Sequence, residues 1–307
     1  MVAAGALLAF ACLLLGVVAA AAQGVASRTE RGPSGGDPVS TTPLPVEGEG
    51  EGSYYASLDP TATDDALKSQ LHAIISTKVT LAYDDVWAAF ASVDKHLAGY
   101  PCDPADPSKI PDIYSGYCWA PVKGLPSGGE CGSDSATKEG MCFNREHSWP
   151  NSWFGGNISD AYTDLFLLFP SDGFVNNRRS NMPVGNVDPG AITYKSTNGA
   201  LIGTCLGTAP DYVGQCFELP DTLKGDIARA YLYISVAYLD KFTCCEEPAV
   251  SKWVIKPWLE TILRQWHALD PVDDTERGRN DAIFNEFQKN RNPFIDHPEW
   301  VAQISDF

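Results

Sequence analysis

Apolar residues recur every three to four positions in five separate stretches of the chain. In the first stretch, Leu67, Leu71 and Ile75 fall on one helical face, and the acidic residues before them suit a helix N-terminus. The same spacing predicts helices over residues 64–76, 84–97, 226–241, 253–267 and 277–290. Predicted helices therefore flank a central region in which this spacing is missing.

The central region is rich in Gly, Pro and Cys and carries shorter apolar runs. Between residues 102 and 142 we expect loops held by disulfide bonds, with a short strand at residues 112–115. Residues 193–217 contain two cysteines and several glycines, which is typical of a hairpin or an irregular loop. Helices around a small centre that contains strands predict an α+β fold.

The first 52 residues differ in composition from the rest of the chain. Residues 1–22 have an apolar middle and end in four alanines, which predicts a signal peptide, with an uncleaved anchor as the alternative. No other stretch reaches the roughly 18 apolar residues of a membrane span, so we expect no stable membrane association after cleavage. Residues 23–52 are rich in Gly, Ser, Pro, Thr and Glu and predict a disordered linker. The folded domain is then predicted to occupy residues 53–307.

The chain has nine cysteines, of which one lies in the predicted signal peptide. An even number of cysteines in an exported chain predicts disulfide bonds, although the sequence does not fix the pairing of all eight. Close spacing favours Cys131–Cys142 and Cys205–Cys216 as local loops. A sequon at residues 157–159 predicts N-glycosylation. We therefore expect a secreted, disulfide-stabilised glycoprotein.

A polar and aromatic run at residues 144–154 gives the strongest indication of chemistry. An unperturbed imidazole is mostly neutral at pH 7, so His147 can accept a proton. The adjacent Glu146 can bind a hard divalent cation through oxygen. Neighbouring residues of a regular strand point to opposite faces, so both can reach one site only where a strand ends. Pro150, just beyond, favours such an end.

A second polar run follows at residues 170–181. Pro170 suits the first turn of a helix, and Asn176 and Arg179, three residues apart, then share one face of it. An amide oxygen can complete a Mg²⁺ shell without adding charge, and an arginine can contact a phosphate through two hydrogen bonds. Together the two runs contain the groups that hydrolysis of a phosphodiester requires.

Residues 144–154 resemble the signature of the endonuclease I family, which are secreted or periplasmic nucleases of the His-Me finger superfamily. The likeness continues through residues 164–181 and at residues 290–299, and it covers roughly residues 54–300. The resemblance implies a catalytic domain with a ββα-metal core that helices flank.

The resemblance also implies roles for individual residues. His147 would be the general base, and Glu146 and Asn176 would bind one Mg²⁺, with Mn²⁺ or Ca²⁺ as alternatives. Arg179 would steady the site or the phosphate. The implied enzyme cleaves DNA without sequence specificity and leaves 5′-phosphate ends, and RNA is a further candidate substrate. We expect the protein to be a monomer.

Two features depart from the family pattern. Phe166 and Leu167 stand where family members often have His-Asn near the metal site, which removes polar support for the metal ligands. The chain also lacks an insertion in which some members carry an arginine that stabilises the leaving group. We hypothesise that Arg145, Arg178 or Arg291 takes its place.

The net charge of −17 is unusual for a protein that binds nucleic acid, although a bound divalent cation would add positive charge locally. The alternative hypothesis is therefore a catalytically weak or inactive secreted binding protein on the same fold. The sequence contains neither an HExxH motif nor the cysteine spacing of a thiolate zinc site, which argues against a metallopeptidase.

Overall fold

A computed structural model of the protein describes residues 51–95, 102, 106, 108–120, 129–131, 136–156, 160–239, 241–242 and 244–307. The predicted signal peptide, almost all of the predicted linker and the sequon lie outside these residues, so those expectations stay predictions. All described residues belong to one unit, Thr42–Phe307. No helix within them has the length and hydropathy that crossing a membrane requires.

Eight α-helices lie in the described part of the chain. They are α1 (Glu51–Tyr54), α2 (Asp64–Ile75), α3 (Val86–Val93), α4 (Gly173–Arg179), α5 (Lys224–Ala237), α6 (Pro257–Leu269), α7 (Asp274–Ala282) and α8 (Pro293–Asp296). A π-helical segment, Ile283–Gln288, continues α7. Short 3₁₀ segments include Tyr83–Asp85 before α3 and two, Asn151–Phe154 and Asp160–Thr163, near the predicted catalytic run.

Nine short strands lie among the described residues and form four separate antiparallel sheets. They are β1 (Ile110–Pro111), β2 (Cys118–Trp119), β3 (Phe143–His147), β4 (Leu168–Asp172), β5 (Val187–Lys195), β6 (Leu201–Cys205), β7 (Gln215–Glu218), β8 (Val250–Ser251) and β9 (Val254–Ile255). The sheets pair β1 with β2, β3 with β4, β5 with β6 and β7, and β8 with β9. The predicted α+β class is confirmed.

Helix α5 lies in the core, since twelve of its fourteen residues are buried. Such a helix is apolar on nearly all sides because it packs against neighbours all round, here α2, α6 and α8. Its buried tyrosines find polar partners. The Tyr231 hydroxyl donates to the Ser148 carbonyl oxygen at 2.7 Å, and the Tyr233 hydroxyl donates to Asp164 at 2.9 Å. Thus α5 anchors the segments that follow β3 and precede β4.

The prediction that Pro170 opens a helix is wrong. Pro170 lies within β4, opposite Arg145 of β3, and its carbonyl oxygen accepts a hydrogen bond from the Ile113 backbone. The helix begins three residues later because the Asp172 carboxylate caps it, accepting hydrogen bonds from the backbone N–H groups of Phe174 and Val175.

The predicted strand at residues 112–115 is also wrong. The Asp112 carboxylate accepts hydrogen bonds from the backbone N–H groups of Tyr114 and Ser115 and from the Trp119 indole. This local bonding closes a turn, and the strand instead occupies the two residues before it.

The helix predicted at residues 253–267 begins later, since β9 occupies Val254–Ile255 and Pro257 opens the helix. The one predicted at residues 226–241 ends at Ala237, and the one at residues 277–290 divides into α7 and the π-helical segment. Within residues 193–217, β6 and β7 form an antiparallel hairpin, which is one of the two predicted alternatives; the other was an irregular loop.

Disulfide bonds pair all eight cysteines outside the predicted signal peptide. The predicted pairs Cys131–Cys142 and Cys205–Cys216 are confirmed, and the remaining bonds are Cys102–Cys118 and Cys244–Cys245.

The Cys131–Cys142 bond lies directly against the start of α4. A Cβ atom on Gly173 would stand only 2.2 Å from the Cys131 sulfur, so no side chain fits there. The Gly173 N–H also donates to the Cys142 carbonyl oxygen at 2.9 Å. The bond therefore fixes α4 against the beginning of β3.

Candidate active site

A cavity of about 460 Å³ opens where β3 ends and α4 passes beside it. Its walls are mostly polar and come from four segments of the chain. The lining residues are Tyr83, Arg145, Glu146, His147, Pro150, Asn151, Ser152, Asn176, Arg179, Ser180 and Asn181. All five residues predicted as site residues, namely Arg145, Glu146, His147, Asn176 and Arg179, are therefore at one place.

Glu146 and His147 reach the same cavity because β3 ends at His147, directly before a turn. Glu146 pairs with Phe169 of β4, and His147, paired with Leu168, is the last residue of the strand. Beyond His147 the chain leaves the sheet toward Pro150, so the side-chain alternation of a strand no longer applies. The geometric requirement stated from the sequence is met in this way.

The His147 ring is held in one orientation. Its Nε2 lies 2.9 Å from the Tyr162 carbonyl oxygen. Because a carbonyl oxygen only accepts, Nε2 carries the proton in the neutral ring and Nδ1 is left as the acceptor. Burial lowers the pKa of His147 to about 4, and the nearby charges of Arg145 and Arg179 act in the same direction. The ring is therefore a neutral proton acceptor at pH 7.

Aromatic side chains surround this imidazole. Tyr162 lies 4.8 Å and Phe154 5.9 Å from the His147 ring, and Tyr83 lies nearly parallel to it at 6.4 Å. Distances here join ring centroids. These contacts desolvate the ring, which is the physical cause of its low pKa.

Arg145 packs beneath this aromatic group. Its guanidinium carbon lies 3.4 Å from the centre of the Tyr83 ring and 4.3 Å from that of Trp87. It donates to the Tyr83 carbonyl oxygen at 2.6 Å and to Glu130 at 3.0 Å. Through these contacts the Arg145 guanidinium holds Tyr83 in place, so Arg145 stabilises the wall of the cavity.

The Glu146 carboxylate is held through one of its two oxygens. Oε1 accepts a 2.7 Å hydrogen bond from the Tyr114 hydroxyl and a shorter one from the Arg179 guanidinium. Burial raises the pKa of Glu146, whereas Arg179 and Tyr114 oppose this effect. Among the described residues, no hydrogen bond uses Oε2, which is therefore the oxygen available to a cation in the cavity.

Arg179 supports the site from within. Its side chain is 1% exposed, and it donates to the His147 carbonyl oxygen at 2.9 Å and to the Ser148 carbonyl oxygen at 2.5 Å as well as to Glu146. The Tyr231 hydroxyl meets the same Ser148 oxygen. Of the two roles considered from the sequence, the geometry favours steadying the site over contacting the phosphate.

Asn176 lies on the cavity side of α4, three residues before Arg179. Within the described part of the chain, its amide group makes no hydrogen bond to another side chain. The amide and the free oxygen of Glu146 are hard oxygen donors of the kind that Mg²⁺ prefers. No group of three or more His, Cys, Asp or Glu side chains able to hold a metal occurs among the described residues. A cation here would keep several waters, as Mg²⁺ usually does.

The other residues considered from the sequence lie away from the cavity. Phe166 and Leu167 are buried in the core, and the Phe166 ring packs 4.7 Å from that of Tyr233. Arg291 is paired with Asp281 and Asp296. Neither the Phe166–Leu167 pair nor Arg291 lines the cavity.

Sequence reasoning missed Tyr114 and Tyr162. Tyr114 is 32 residues from Glu146 along the chain, and Tyr162 contributes only a backbone oxygen to His147. A single sequence contains no pattern that indicates the long-range contact of the Tyr114 hydroxyl or the backbone contact of the Tyr162 carbonyl group. Only the fold shows these contacts.

Ser180 has an unusual backbone conformation at the edge of the cavity, with φ 52°. Glycine adopts such angles without the steric cost that a Cβ atom brings. We therefore expect Ser180→Gly to raise the free energy of unfolding by about 1 kcal/mol. Urea unfolding should show this gain, and Ser180→Ala should show none because alanine keeps the Cβ atom.

The chain matches the sequence profile of the Endonuclease I family over residues 63–299. It belongs to this family, as its resemblance predicted, and it is a nuclease.

Individual relatives agree with the family match. An extracellular ribonuclease of Bacillus subtilis (strain 168) is 34% identical over 257 residues, which cover 82% of this chain and 78% of the relative. An extracellular ribonuclease of Bacillus amyloliquefaciens is 35% identical, over 78% of this chain and 73% of the relative. An Endonuclease-1 of Buchnera aphidicola subsp. Baizongia pistaciae (strain Bp) is 30% identical, over 58% of this chain and 74% of the relative.

Proposed function

We propose that the protein is a secreted, divalent-metal-dependent endonuclease that hydrolyses phosphodiester bonds of DNA and RNA without sequence specificity. The observation that carries this proposal is the cavity in which a neutral histidine, whose Nδ1 has no hydrogen-bond partner among the described residues, stands beside a carboxylate and an amide oxygen. These are a proton acceptor and two ligands for a hard cation.

His147 would act as the general base. Its Nδ1 takes the proton of the attacking water while the Tyr162 carbonyl oxygen holds Nε2–H and thereby the orientation of the ring. Arg179 and Tyr114 hold the Glu146 carboxylate so that its second oxygen stays directed to the cavity.

Glu146 and Asn176 would hold Mg²⁺. A bound Mg²⁺ would stabilise the negative charge that develops on the phosphate and on the departing oxygen. Water attack at phosphorus with departure of the 3′ oxygen leaves the 5′-phosphate ends expected from the family resemblance.

The arrangement of β3, β4 and α4 supports a His-Me finger core. Two antiparallel strands are followed directly by a helix, the histidine lies at the end of the first strand, and an amide lies on the helix. This order of elements is that of a ββα-metal unit, which the family resemblance implied.

Secretion and breadth of substrate are supported by the relatives and by the cysteines. Two relatives are named extracellular ribonucleases and one is named Endonuclease-1. Disulfide bonds persist in oxidising compartments, as outside the cell. The uncharged cavity side chains Asn151, Ser152, Ser180 and Asn181 suit contacts to sugar and phosphate.

The first test is nicking of supercoiled plasmid and cleavage of a labelled RNA strand by the oxidised protein, with Mg²⁺ and with EDTA. We expect cleavage of both substrates with Mg²⁺ and none with EDTA. A folded protein that binds Mg²⁺ yet cleaves neither substrate would instead support the inactive binding protein.

A substitution at Asn176 tests the metal site. Asn176→Ala removes one proposed ligand, so the Mg²⁺ concentration for half-maximal cleavage should rise at least about 10-fold. Asn177→Ala is the matched control, since Asn177 is exposed on the same helix and does not line the cavity. Equal effects of the two substitutions would contradict the assignment of Asn176 as a ligand.

A further inference from the structure

Arg178 lies on α4 between two cavity residues but points away from the cavity. An α-helix turns once in 3.6 residues, so positions two apart, such as Asn176 and Arg178, face nearly opposite directions. Phe174 and Arg178, four apart, share a face. The helix thus has a cavity side and a second side that carries Phe174 and Arg178.

The second side bears an arginine that two aromatic rings support. The Arg178 guanidinium carbon lies 4.6 Å from the centre of the Phe174 ring and 4.9 Å from that of Tyr194 on β5. The two rings meet edge to face at 6.2 Å. We call Phe174, Arg178 and Tyr194 the stacked-arginine patch.

Arg178 is exposed, and among the described residues its guanidinium donates no hydrogen bond and forms no ion pair within 4.0 Å. The arginines of the cavity wall and the core differ, since Arg145, Arg179, Arg229 and Arg279 all bond to carboxylates. In a chain of net charge −17, Arg178 is therefore an exposed arginine whose donors remain available to an anion.

Glu139 holds Tyr194 in place beside Arg178. Its carboxylate accepts hydrogen bonds from the Tyr194 hydroxyl and, at 2.9 Å, from the Thr197 backbone N–H. Burial raises the pKa of Glu139, but the hydrogen bonds from Tyr194 and Thr197 outweigh it and leave the pKa lowered, with a smaller contribution from Arg178. The Tyr194 ring is thus fixed under the guanidinium, although a carboxylate lies nearby.

We propose that the stacked-arginine patch binds a phosphate of the nucleic-acid strand at a position away from the scissile bond. This inference rests on the proposed function. An arginine that lies flat on aromatic rings directs its N–H groups outward at its edge, where they can make two hydrogen bonds to one phosphate. Aromatic side chains beside basic ones are also the usual arrangement in grooves that bind single strands.

The position of the patch limits what it can do. Because Arg178 does not line the cavity and is turned by about 200° from Asn176 around the helix, we expect it not to contact the reacting phosphate. Only a strand long enough to pass around the exposed part of the helix reaches both places. The patch should therefore increase the affinity for long single strands more than that for a dinucleotide.

The test measures binding of a labelled single strand of about 16 nucleotides, the upper site size of common single-strand binding domains. Fluorescence anisotropy in Mg²⁺ across a salt series would use the His147→Gln protein to prevent cleavage. Arg178→Ala should weaken binding and reduce the slope of log K against log salt by about 0.7, the contribution of one phosphate contact. Arg277→Ala removes the same charge from an exposed site on α7 and should change neither quantity.

Two further measurements make the test specific. Arg178→Lys should keep the salt slope yet bind more weakly than the parent, since lysine cannot make the two-pronged contact. The fall in kcat/KM caused by Arg178→Ala should be at least about 3-fold larger for the long strand than for a dinucleotide, because a strand-specific contact of even 0.7 kcal/mol is worth that factor.

Three results would overturn the patch. They are a His147→Gln protein that binds no strand, a salt slope that Arg178→Ala leaves unchanged, and equal losses for the long and the short substrate. Salt-dependent binding that needs Arg178, together with a folded parent protein that cleaves neither DNA nor RNA in Mg²⁺, would keep the patch and refute the proposed function.

Discussion

Replacing His147 with glutamine should lower the rate of phosphodiester hydrolysis by roughly 10²–10⁴-fold, the usual contribution of a general base. Glutamine can still donate a hydrogen bond to the Tyr162 carbonyl oxygen that now holds Nε2. It cannot accept a proton at neutral pH, so the substitution removes the chemistry and keeps the contact. The rate is measured under saturating substrate with Mg²⁺, and the Mg²⁺ affinity is measured separately by calorimetry.

The expected result has two parts that must occur together. The rate should fall, while Mg²⁺ affinity changes by less than about 3-fold because the histidine is not a proposed ligand. His72→Gln is a suitable control, since among the described residues the His72 ring has one hydrogen-bond partner, the Val236 carbonyl oxygen, and His72 does not line the cavity. Hydrolysis by His147→Gln at the rate of the parent protein would show that another group takes the proton.

Replacing Arg179 with methionine should lower the free energy of unfolding by about 3–5 kcal/mol, because it leaves a buried carboxylate without its partner. Glu146 would lose the arginine that neutralises it, and the carbonyl oxygens of His147 and Ser148 would each lose a donor. Methionine fills a similar volume, so a cavity contributes little to the loss. Urea unfolding measures the change.

The next residue of the same helix is the matched control. Arg178→Met removes an equal charge from an exposed position and should cost less than about 1 kcal/mol, as surface substitutions usually do. Arg179→Lys should fall between the two, since a lysine keeps the charge but not the planar set of donors. An Arg179→Met protein as stable as the parent but unable to bind substrate would mean that Arg179 serves the phosphate and not the site.

The five site residues predicted from the sequence all line the cavity, whereas the contacts that hold them could not be predicted. The Glu146-His147 pair and Asn176 were found because an acid, an imidazole and an amide are chemically distinctive, and because the surrounding run resembles a known family. Arg145 is one of three candidates for stabilising the leaving group, and its guanidinium packs on Tyr83 and Trp87. Those rings lie far away in sequence, so no local pattern could indicate the contact.

The fold shows the same division between local and distant causes. The helix predicted at residues 64–76 forms over Asp64–Ile75 because its apolar spacing is local. The preference of proline for a first turn predicts a helix at Pro170, but pairing with β3 determines its conformation. That pairing joins residues more than twenty positions apart, so the sequence around Pro170 does not indicate it.

The disulfide bond between Cys131 and Cys142 has a consequence for where the protein can act. It lies directly against Gly173, where α4 begins, and α4 carries both Asn176 and Arg179. Closing a loop of this size stabilises a fold by about 3 kcal/mol through the unfolded chain. For the secreted enzyme proposed above, we expect that in a compartment that keeps thiols reduced the helix and the strand would lose this clamp. Assembly of the cavity would then depend on the redox state of the surroundings. Inside the producing cell, the enzyme would encounter nucleic acids while the Cys131–Cys142 bond is still open and the cavity is not yet held in place.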